Sequence, residues 1–407
     1  MSVGSSAAPF KSHRSLARPP PKVMHVVSSM DRWAVETWLL RLMAHAVWRG
    51  QPLDWTFYCA LDQAGARECE AKALGARVVR SPVPIGDKLA FARALRAEVG
   101  QGGYDVLHGH HDLVCGVYLA ATAGLRVGRR LAHVHNLGES VLTPSPLKQA
   151  VLRPVLRRMC LTLADQVVAN SEHALVAFLA GHRRDPRRHR VHPIAVDPAP
   201  FTAGRVDRAA FRRSLGLAED APVLLFAGRI APEKNPVFAV DVLAALRRRA
   251  PAAALVLAGA GSLEAAARAR AAELGQSEAV RLIGWRDDVA AIMGACDWFI
   301  LPTPHRPIEG FGVAVVEAQL AALRLLLSEG VSDAPILPGA RWRRLSLNDG
   351  AEAWADAAVE LWRQPAPSRA AALAALSASP MDLDRALADM LDLHGHAPAG
   401  CAEARRP

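Results

Sequence analysis

The stretch that decides the fold of this chain is Thr303-Pro304-His305-Arg306-Pro307-Ile308-Glu309-Gly310-Phe311-Gly312-Val313-Ala314-Val315-Val316-Glu317-Ala318. It follows the apolar run 298–301, which predicts a buried strand, and a Pro- and Gly-rich loop then leads into a helix that we expect to begin near Gly312. The first N–H groups of a helix have no partner within it, and they carry the positive end of the helix dipole. The junction of strand and helix therefore predicts a site for a phosphate or diphosphate.

Two carboxylates flank this junction. Glu309 ends the loop and Glu317 lies inside the helix, so each can accept hydrogen bonds from hydroxyl groups on either side of a bound phosphate. The pattern favours a sugar joined to a nucleoside diphosphate. The alternative is an ordinary helix start followed by a solvated glutamate, since Gly-rich turns between strands and helices are common.

Two other strand ends carry polar groups. The apolar run 223–226 is followed by Ala227-Gly228-Arg229-Ile230-Ala231-Pro232-Glu233-Lys234-Asn235-Pro236, a loop with two cations, and Arg281-Leu282-Ile283-Gly284-Trp285 also passes from a strand into a loop. Parallel strands present their carboxyl ends at one edge of a sheet, where ligands bind in doubly wound folds. We expect all three loops to share one ligand.

These motifs resemble a known family. GRIAPEKNP, RLIGW and the paired glutamates of PxxxEGFGxxxxEA are similar to the donor half of family 4 of the retaining GT-B glycosyltransferases, and residues 26–38 resemble the start of its exopolysaccharide-type members. The similarity extends from about Lys22 to Trp362. It implies an α/β fold of two Rossmann-like, doubly wound parallel-sheet domains facing a central cleft.

The resemblance also implies roles for individual residues. Arg229, Lys234 and the helix N-terminus would hold the diphosphate of a UDP- or GDP-linked sugar, without a metal or other cofactor. Glu309 would bind the sugar hydroxyls, and Glu317 would bind the ribose. The expected donor site comprises Arg229, Lys234, Ile283, Gly284, Gly310, Phe311, Gly312, Val313 and Glu317, with His135 and Glu309 at the reacting sugar. The acceptor would be a saccharide or a lipid-linked saccharide.

One position departs from the family pattern. Where family members have Gly-Gly in the first loop, this chain has Trp33-Ala34. Both side chains carry a Cβ, which hinders positive φ and close approach of the backbone to a diphosphate. A second hypothesis is therefore a catalytically impaired protein that keeps the fold and binds nucleotide.

A third hypothesis comes from histidines. His108-Gly109-His110-His111-Asp112 is similar to the metallohydrolase pattern HxHxDH, but Leu113 replaces its last histidine, and a His-rich turn is more often polar surface than a zinc site. His133 and His135 would lie on one face of a later strand. A glycosidase pair of carboxylates is disfavoured because a neutral glycoside offers no diphosphate for Arg229 and Lys234.

Length and alternation predict the domain organisation. The 407 residues suffice for two cores, and strand and helix patterns alternate on both sides of an irregular, Pro-rich linker at 191–200. We expect a disordered basic tail (1–21), an acceptor-side domain (22–197), a donor domain (198–378), a helix returning to the first domain (379–393) and a disordered tail (394–407). Pro154 should kink or break an amphipathic helix over 145–163.

Composition limits the partners and the location. The formal net charge is +10, but zinc-finger spacing and aromatics among the basic residues are missing, so nucleic acid is not expected. Basic residues could instead meet an anionic membrane surface or a lipid-linked phosphate. No apolar run of about 18 residues predicts a membrane-spanning helix, so we expect a cytoplasmic protein, peripheral at most on the inner membrane face. Six scattered cysteines predict reduced thiols.

Overall fold

The chain forms two parallel α/β domains. The computed structural model describes residues 19–135, 146–202, 207–304 and 309–396. The first sheet has seven parallel strands in the spatial order β3-β2-β1-β4-β5-β6-β7: β1 (Lys22–Val27), β2 (Asp54–Cys59), β3 (Arg77–Arg80), β4 (Val106–Gly109), β5 (Arg129–Val134), β6 (Gln166–Ala169) and β7 (His189–Val191).

The second sheet repeats this plan with six strands. They are parallel, in the order β10-β9-β8-β11-β12-β13: β8 (Val223–Ala227), β9 (Ala254–Ala258), β10 (Val280–Gly284), β11 (Trp298–Leu301), β12 (Arg324–Ser328) and β13 (Trp342–Leu345). The predicted fold of two Rossmann-like domains is confirmed.

Helices connect the strands. Those of the first domain are α1 (Ala34–Trp48), α2 (Glu68–Ala73), α3 (Lys88–Gly102), α4 (Cys115–Ala121), α5 (Pro146–Leu163) and α6 (Glu172–Leu179). The others are α7 (Ala199–Thr202), α8 (Arg208–Ser214), α9 (Pro236–Arg247), α10 (Glu264–Glu273), α11 (Val289–Ala295), α12 (Val313–Leu320), α13 (Gly350–Arg363), α14 (Arg369–Ala378) and α15 (Leu383–Leu393).

The central strands of both sheets are buried, as expected for parallel strands that helices cover on both faces. β8, β9, β11 and β12 are buried along their whole length, and in β1 only Lys22 is partly exposed. A sheet covered by helices on both faces requires such continuous apolar runs. Because all strands of a sheet are parallel, their carboxyl ends, and the loops that follow them, lie at one edge.

The structure differs from the sequence expectations at several elements. The linker predicted at 191–200 overlaps β7, whose three residues are His189–Val191. β13 was not predicted, and α5 continues through Pro154 without the break that was considered. The tail predicted to begin at His394 is described as far as His396, and His394 is buried. The predicted tail segments 1–18 and 397–407, and loop residues 305–308, lie outside the described residues.

The last helix lies against the first domain. In α15, Asp389 pairs with Arg190 (2.5 Å) and with His192 (2.7 Å), and Asp384 pairs with His45 of α1 (2.8 Å). The backbone N–H of Val196 donates to the Met381 carbonyl (3.1 Å), so the two segments that connect the domains lie side by side.

Two further expectations bear on the environment of the chain. Among the described helices, none combines the length and apolar character needed to cross a bilayer. The five cysteines of the described residues are free thiols, and only Cys69 is exposed; Cys401 lies outside.

Candidate functional site

The Lys234 ammonium and the Glu309 carboxylate meet at the carboxyl edge of the second sheet. Lys234 ends a 3₁₀ turn (Pro232–Lys234) after β8, and Glu309 comes just before the turn into α12. Lys234 Nζ forms an ion pair with Glu309 Oε2, and both side chains are largely buried. The N–H of Glu309 donates to the Gly330 carbonyl (2.9 Å), which fixes the loop against the segment after β12. The structure thus joins two of the residues that the sequence assigned to one site.

Arg229 is the second predicted cation, and it is not in contact with Glu309. Its side chain is 53% exposed and pairs with Glu233 (2.5 Å). Its charge still acts on the site, because burial and then the positive charge of Arg229 lower the pKa of Lys234 to about 8, while Glu233 opposes this shift. Two cations that repel each other would be stabilised by an anion bound between them.

Glu317 is held by a residue from the other domain. It is the fifth residue of α12, and its Oε1 lies 3.1 Å from Nη2 of Arg41 in α1. Both side chains are mostly buried. The carboxylate that was predicted to bind a ribose is therefore paired across the domain interface in this structure.

The turn before α12 touches the first domain through Gly310. The Ser171 hydroxyl, at the start of α6, donates to the Gly310 carbonyl (2.7 Å). A Cβ at Gly310 would lie 1.9 Å from the His135 carbonyl oxygen, a position that only glycine can occupy. Asn170 Nδ2 donates to the same His135 oxygen (2.8 Å). The carboxyl ends of β5 and β6 therefore meet the predicted phosphate loop directly.

The rest of this turn sets the direction of α12. Gly312 precedes the helix with φ +82°, in the left-handed region that favours glycine. Phe311 is buried in the core, and Val313 is the first residue of the helix. This places the N-terminus of α12 beside the Lys234–Glu309 pair, as the sequence pattern required.

Ile283 and Gly284 lie at the end of β10, on the same edge. Gly284 has φ +69°, and its carbonyl accepts the Gly259 N–H (2.8 Å), which ties β10 to the end of β9. Both residues are partly exposed. They lie two strands away from β8 in the sheet order, and the resemblance assigned them to the base of the nucleotide.

Trp33 and Ala34 form the start of α1 in the first domain. Trp33 is 46% exposed and has an extended backbone (φ −81°, ψ 159°), so the loop has no positive φ at this position, and α1 begins at Ala34. Glu36 lies in the first turn and is buried. Burial raises its pKa to about 7, although backbone N–H groups, including those of Ser28 and Ser29, oppose this shift.

His135 follows β5 and is 4% exposed. Its carbonyl faces Gly310, and its N–H donates to Asp112 (2.7 Å). Its Nε2 lies 3.0 Å from Nδ1 of His110, and burial lowers the pKa of His135 to about 3. At neutral pH this imidazole is uncharged and acts as a hydrogen-bonding group rather than as a cation.

Two protein families match the sequence of this chain, one in each domain. The family described as "Glycosyltransferase Family 4" matches residues 35–200, and "Glycosyl transferases group 1" matches residues 207–334. The chain is a glycosyltransferase of the GT-B type. The fold of this glycosyltransferase is also that of HepE from Anabaena, solved with UDP: the TM-score is 0.73 at 18% identity, over 91% of this chain and 98% of HepE.

Curated relatives agree with this assignment. EpsF of Bacillus subtilis is 27% identical over 343 residues, which are 82% of this chain and 86% of EpsF. The D-inositol 3-phosphate glycosyltransferase of Stackebrandtia nassauensis is 36% identical over 244 residues, 55% of this chain. The chain spans about half (53%) of the length of that second relative.

Some residues of this glycosyltransferase site were missed by sequence reasoning. From the first domain, Arg41 reaches Glu317 in α12 and Ser171 reaches Gly310 in the turn before it, 276 and 139 residues away in the sequence. No local motif marks a contact between two domains. The Ser171 side chain caps α6 by accepting the Ala174 N–H (3.0 Å), and its second bond, to Gly310, had no sequence signal.

Proposed function

We propose that this glycosyltransferase moves a sugar from a nucleoside-diphosphate donor to a saccharide or lipid-linked saccharide acceptor. The transfer retains the anomeric configuration and serves polysaccharide or glycoconjugate synthesis. The observation that carries the proposal is the Lys234–Glu309 contact beside the N-terminus of α12. One ammonium, one carboxylate and a helix N-terminus at one place match the charge pattern of a sugar diphosphate.

The cations act on the leaving group. Cleavage of the bond between the anomeric carbon and the diphosphate oxygen leaves negative charge on that oxygen, and fixed positive groups stabilise it. Lys234 is the buried cation, and Arg229 is close enough to lower its pKa. With the dipole of α12 they supply the compensating charge without a metal ion.

The two carboxylates hold hydroxyl groups. In the structure Glu309 is paired with Lys234, and Glu317 is paired with Arg41. When the donor binds, its phosphate pairs with Lys234, and Glu309 is then available to bind the sugar hydroxyls. The ribose replaces Arg41 as the partner of Glu317. Before the donor binds, the two ion pairs therefore hold these side chains in position. They also leave neither buried carboxylate without a compensating positive charge.

Retention follows from attack on the same face of the sugar that the diphosphate leaves. The acceptor oxygen forms the new bond to the anomeric carbon, and its proton passes to the departing phosphate oxygen. His135, neutral at the interface with Gly310, positions a hydroxyl of the donor or acceptor. Gly310–Phe311–Gly312 and Val313 contribute backbone N–H groups, and Ile283 and Gly284 border the base.

The relatives support particular ligands. HepE was solved with UDP, with UDP and glucose, and with UDP-glucose, so UDP is the first nucleotide to test and GDP the second. The net charge of +10 supports an acceptor that carries phosphate, or an anionic membrane surface at the inner face of the membrane.

Lys234→Ala tests the proposal. By calorimetry, UDP affinity should fall roughly 10- to 150-fold, the range for a hydrogen bond to a charged group. Lys72→Ala is the matched control, because Lys72 is an exposed lysine of the first domain that pairs with Glu68 (3.7 Å). The triple variant Lys234→Ala, Arg229→Ala, Glu317→Ala is measured in the same way with UDP and with GDP. If Lys234→Ala and the triple variant both bind these nucleotides as tightly as the wild type does, the proposed donor site is refuted.

The second candidate is a binding protein that has lost catalysis, favoured by Trp33-Ala34. It predicts that UDP binds but no sugar is transferred, and that the double variant Trp33→Gly, Ala34→Gly gains activity. Against it, the negative φ of Trp33 shows that the loop accommodates a side chain. A donor-hydrolysis and transfer assay on both forms separates the two: turnover by the wild type eliminates the impaired protein.

A further inference from the structure

Seven histidines are buried on one face of the first sheet. They come from or directly follow strands β1, β4, β5 and β7 and helix α15, and each is 5% exposed or less: His25, His108, His110, His133, His135, His192 and His394. Buried histidines are usually single and hydrogen-bonded to a carboxylate or carbonyl. A cluster of this size, away from the α12 turn except at His135, is not required by the transfer chemistry.

The imidazoles form two hydrogen-bonded rows. In one row His25 Nδ1 lies 2.9 Å from His110 Nε2, and His110 Nδ1 lies 3.0 Å from His135 Nε2. In the other, His108 bridges His394 and His133, with both distances 3.1 Å. The rows stack on one another, with ring centroids 4.3 Å apart for His108 and His110 and 4.2 Å for His133 and His135.

Protein contacts do not satisfy this cluster. Within the described residues His25 Nε2, His133 Nε2 and His135 Nδ1 are buried and have no hydrogen-bond partner. Such atoms are uncommon in native proteins, because a buried donor or acceptor that loses water needs a replacement. The cluster therefore has more ligand capacity than its internal bonds use.

We propose that His110, His133 and His135 bind one transition-metal ion. One ring nitrogen from each lies within 4.8 Å of the others. Tetrahedral Zn–N bonds of about 2.0–2.1 Å separate ligand nitrogens by roughly 3.3–3.4 Å. His110 Nδ1 and His135 Nε2 now share a hydrogen bond at 3.0 Å, which two bonds to the ion would replace. The stacked ring of His133, at 17° to that of His135, would turn so that its nitrogen also points to the ion. An all-imidazole set suits zinc, copper or nickel rather than magnesium or calcium.

The surroundings support metal ligation in three ways. Burial lowers the pKa of all three histidines, so they are neutral and ready to coordinate. His25 binds the second nitrogen of His110, the outer contact that orients a ligating imidazole. Asp112, which accepts the His135 N–H, places a carboxylate at the edge of the cluster.

The ion would not contact the diphosphate, but it would hold the ring of His135, which is proposed above to position a hydroxyl. It would link the ends of β4 and β5 and fix the ring of His135 beneath Gly310. This inference does not rest on the donor or acceptor proposed above, and it can hold or fail independently of them.

The test uses full-length, tag-free protein treated with a chelator and then titrated with Zn²⁺ by calorimetry and with Co²⁺ by visible absorption. We expect one ion per chain and the intense bands of tetrahedral Co²⁺. His110→Ala and His133→Ala should each weaken Zn²⁺ binding at least about tenfold. His173→Ala, an exposed histidine outside the cluster, is the control and should change nothing.

Three results would overturn the proposal. One is the absence of Zn²⁺ and Co²⁺ binding to the wild type. Another is an equal loss of affinity in His173→Ala. The third is loss in His25→Ala with full affinity in His133→Ala, which would move the ion to the neighbouring group His25, His108 and His110. If near-UV circular dichroism shows that the variants are unfolded, the imidazole ¹⁵N chemical shifts of the wild type provide the test. Zn²⁺ must then change the shifts of His110, His133 and His135.

Discussion

The carboxyl edges of the two sheets have the same topology and opposite chemistry. At the edge of the second sheet, Lys234, Arg229 and Glu309 are charged groups at or near the start of α12. At the edge of the first sheet, His110 and His135 are buried and their pKa values are lowered, so they carry no charge at neutral pH. The two edges touch at Gly310 and the His135 carbonyl.

This difference matches the roles proposed above for the two domains. A diphosphate needs fixed positive charge, and the second sheet supplies it. Neutral rings and carbonyls can bind hydroxyl groups without attracting an anion, and the first sheet supplies these. The fold alone does not decide which edge holds which group, because chemistry resides in the loops that follow the strands.

The largest expected effect concerns Glu36, a carboxyl group near the uncharged edge. Its pKa is raised from 4.5 to about 7 by burial, so the native state binds more protons than the unfolded state between these values. Stability should therefore fall as pH rises from about 4.5 to 7, by up to about 3 kcal/mol. Glu36→Gln removes this loss: the variant should match the wild type near pH 4 and exceed its free energy of unfolding near pH 8.

Urea denaturation across this pH range measures the difference. Taking the variant minus the wild type cancels the other titrating groups. Glu278→Gln, on an exposed residue, is the control and should give no such pH-dependent gain. A wild-type and Glu36→Gln difference that stays constant between pH 5 and 8 would contradict the raised pKa.

The next effect tests the point where the edges touch. In Gly310→Ala the new methyl would meet the His135 carbonyl oxygen at 1.9 Å, so the domains must move apart. A displacement of about 1 Å at a reacting centre can cost roughly a hundredfold in rate. We expect that loss in transfer activity, with both domains still folded.

Gly86→Ala provides the comparison for this variant. A Cβ at Gly86 meets nothing within 4 Å, so its activity should equal that of the wild type. Small-angle scattering of Gly310→Ala should show a more open molecule. Full activity in Gly310→Ala would mean that the contact between the edges is not part of the active arrangement.

The smallest effect sharpens the comparison by removing a charge that crosses the interface. Arg41→Ala frees Glu317, which we expect to bind ribose, so UDP affinity should rise about twofold to fivefold, the worth of one partly exposed ion pair. Arg32→Ala removes another pair between the domains, to Asp287 (3.5 Å), and controls for a loosened interface. If both variants bind UDP equally, Arg41 does not compete for Glu317.

Much of the fold follows from sequence because its signals are local. Apolar runs bounded by Gly and Pro mark the strands, and the order of strand and helix predicts parallel sheets. β13 was missed for a local reason as well: Trp342-Arg343-Arg344-Leu345 has two arginines in four residues, a pattern of edge strands that resembles a loop.

The contacts around the candidate site were predictable only within one domain. Glu309 and Lys234 could be assigned to one ligand because both follow strands of the same sheet. Arg41–Glu317 and Ser171–Gly310 depend on how one domain faces the other, and no periodicity encodes that. Likewise, the pattern from His108 to Asp112 indicated too few ligands for a metal, because His25, His133 and His135 join it only through the sheet.

Because α15 returns to the first domain, two chain segments connect the domains. Val196, on the outward crossing, is bonded to Met381, on the way back, and Asp389 anchors the far side through Arg190 and His192. Two adjoining connections allow one domain to rotate about the line that joins them, and they restrain rotation about other axes. We therefore expect nucleotide to enter by a movement about these two connections that separates Gly310 from His135 and keeps the lateral alignment of the two domains.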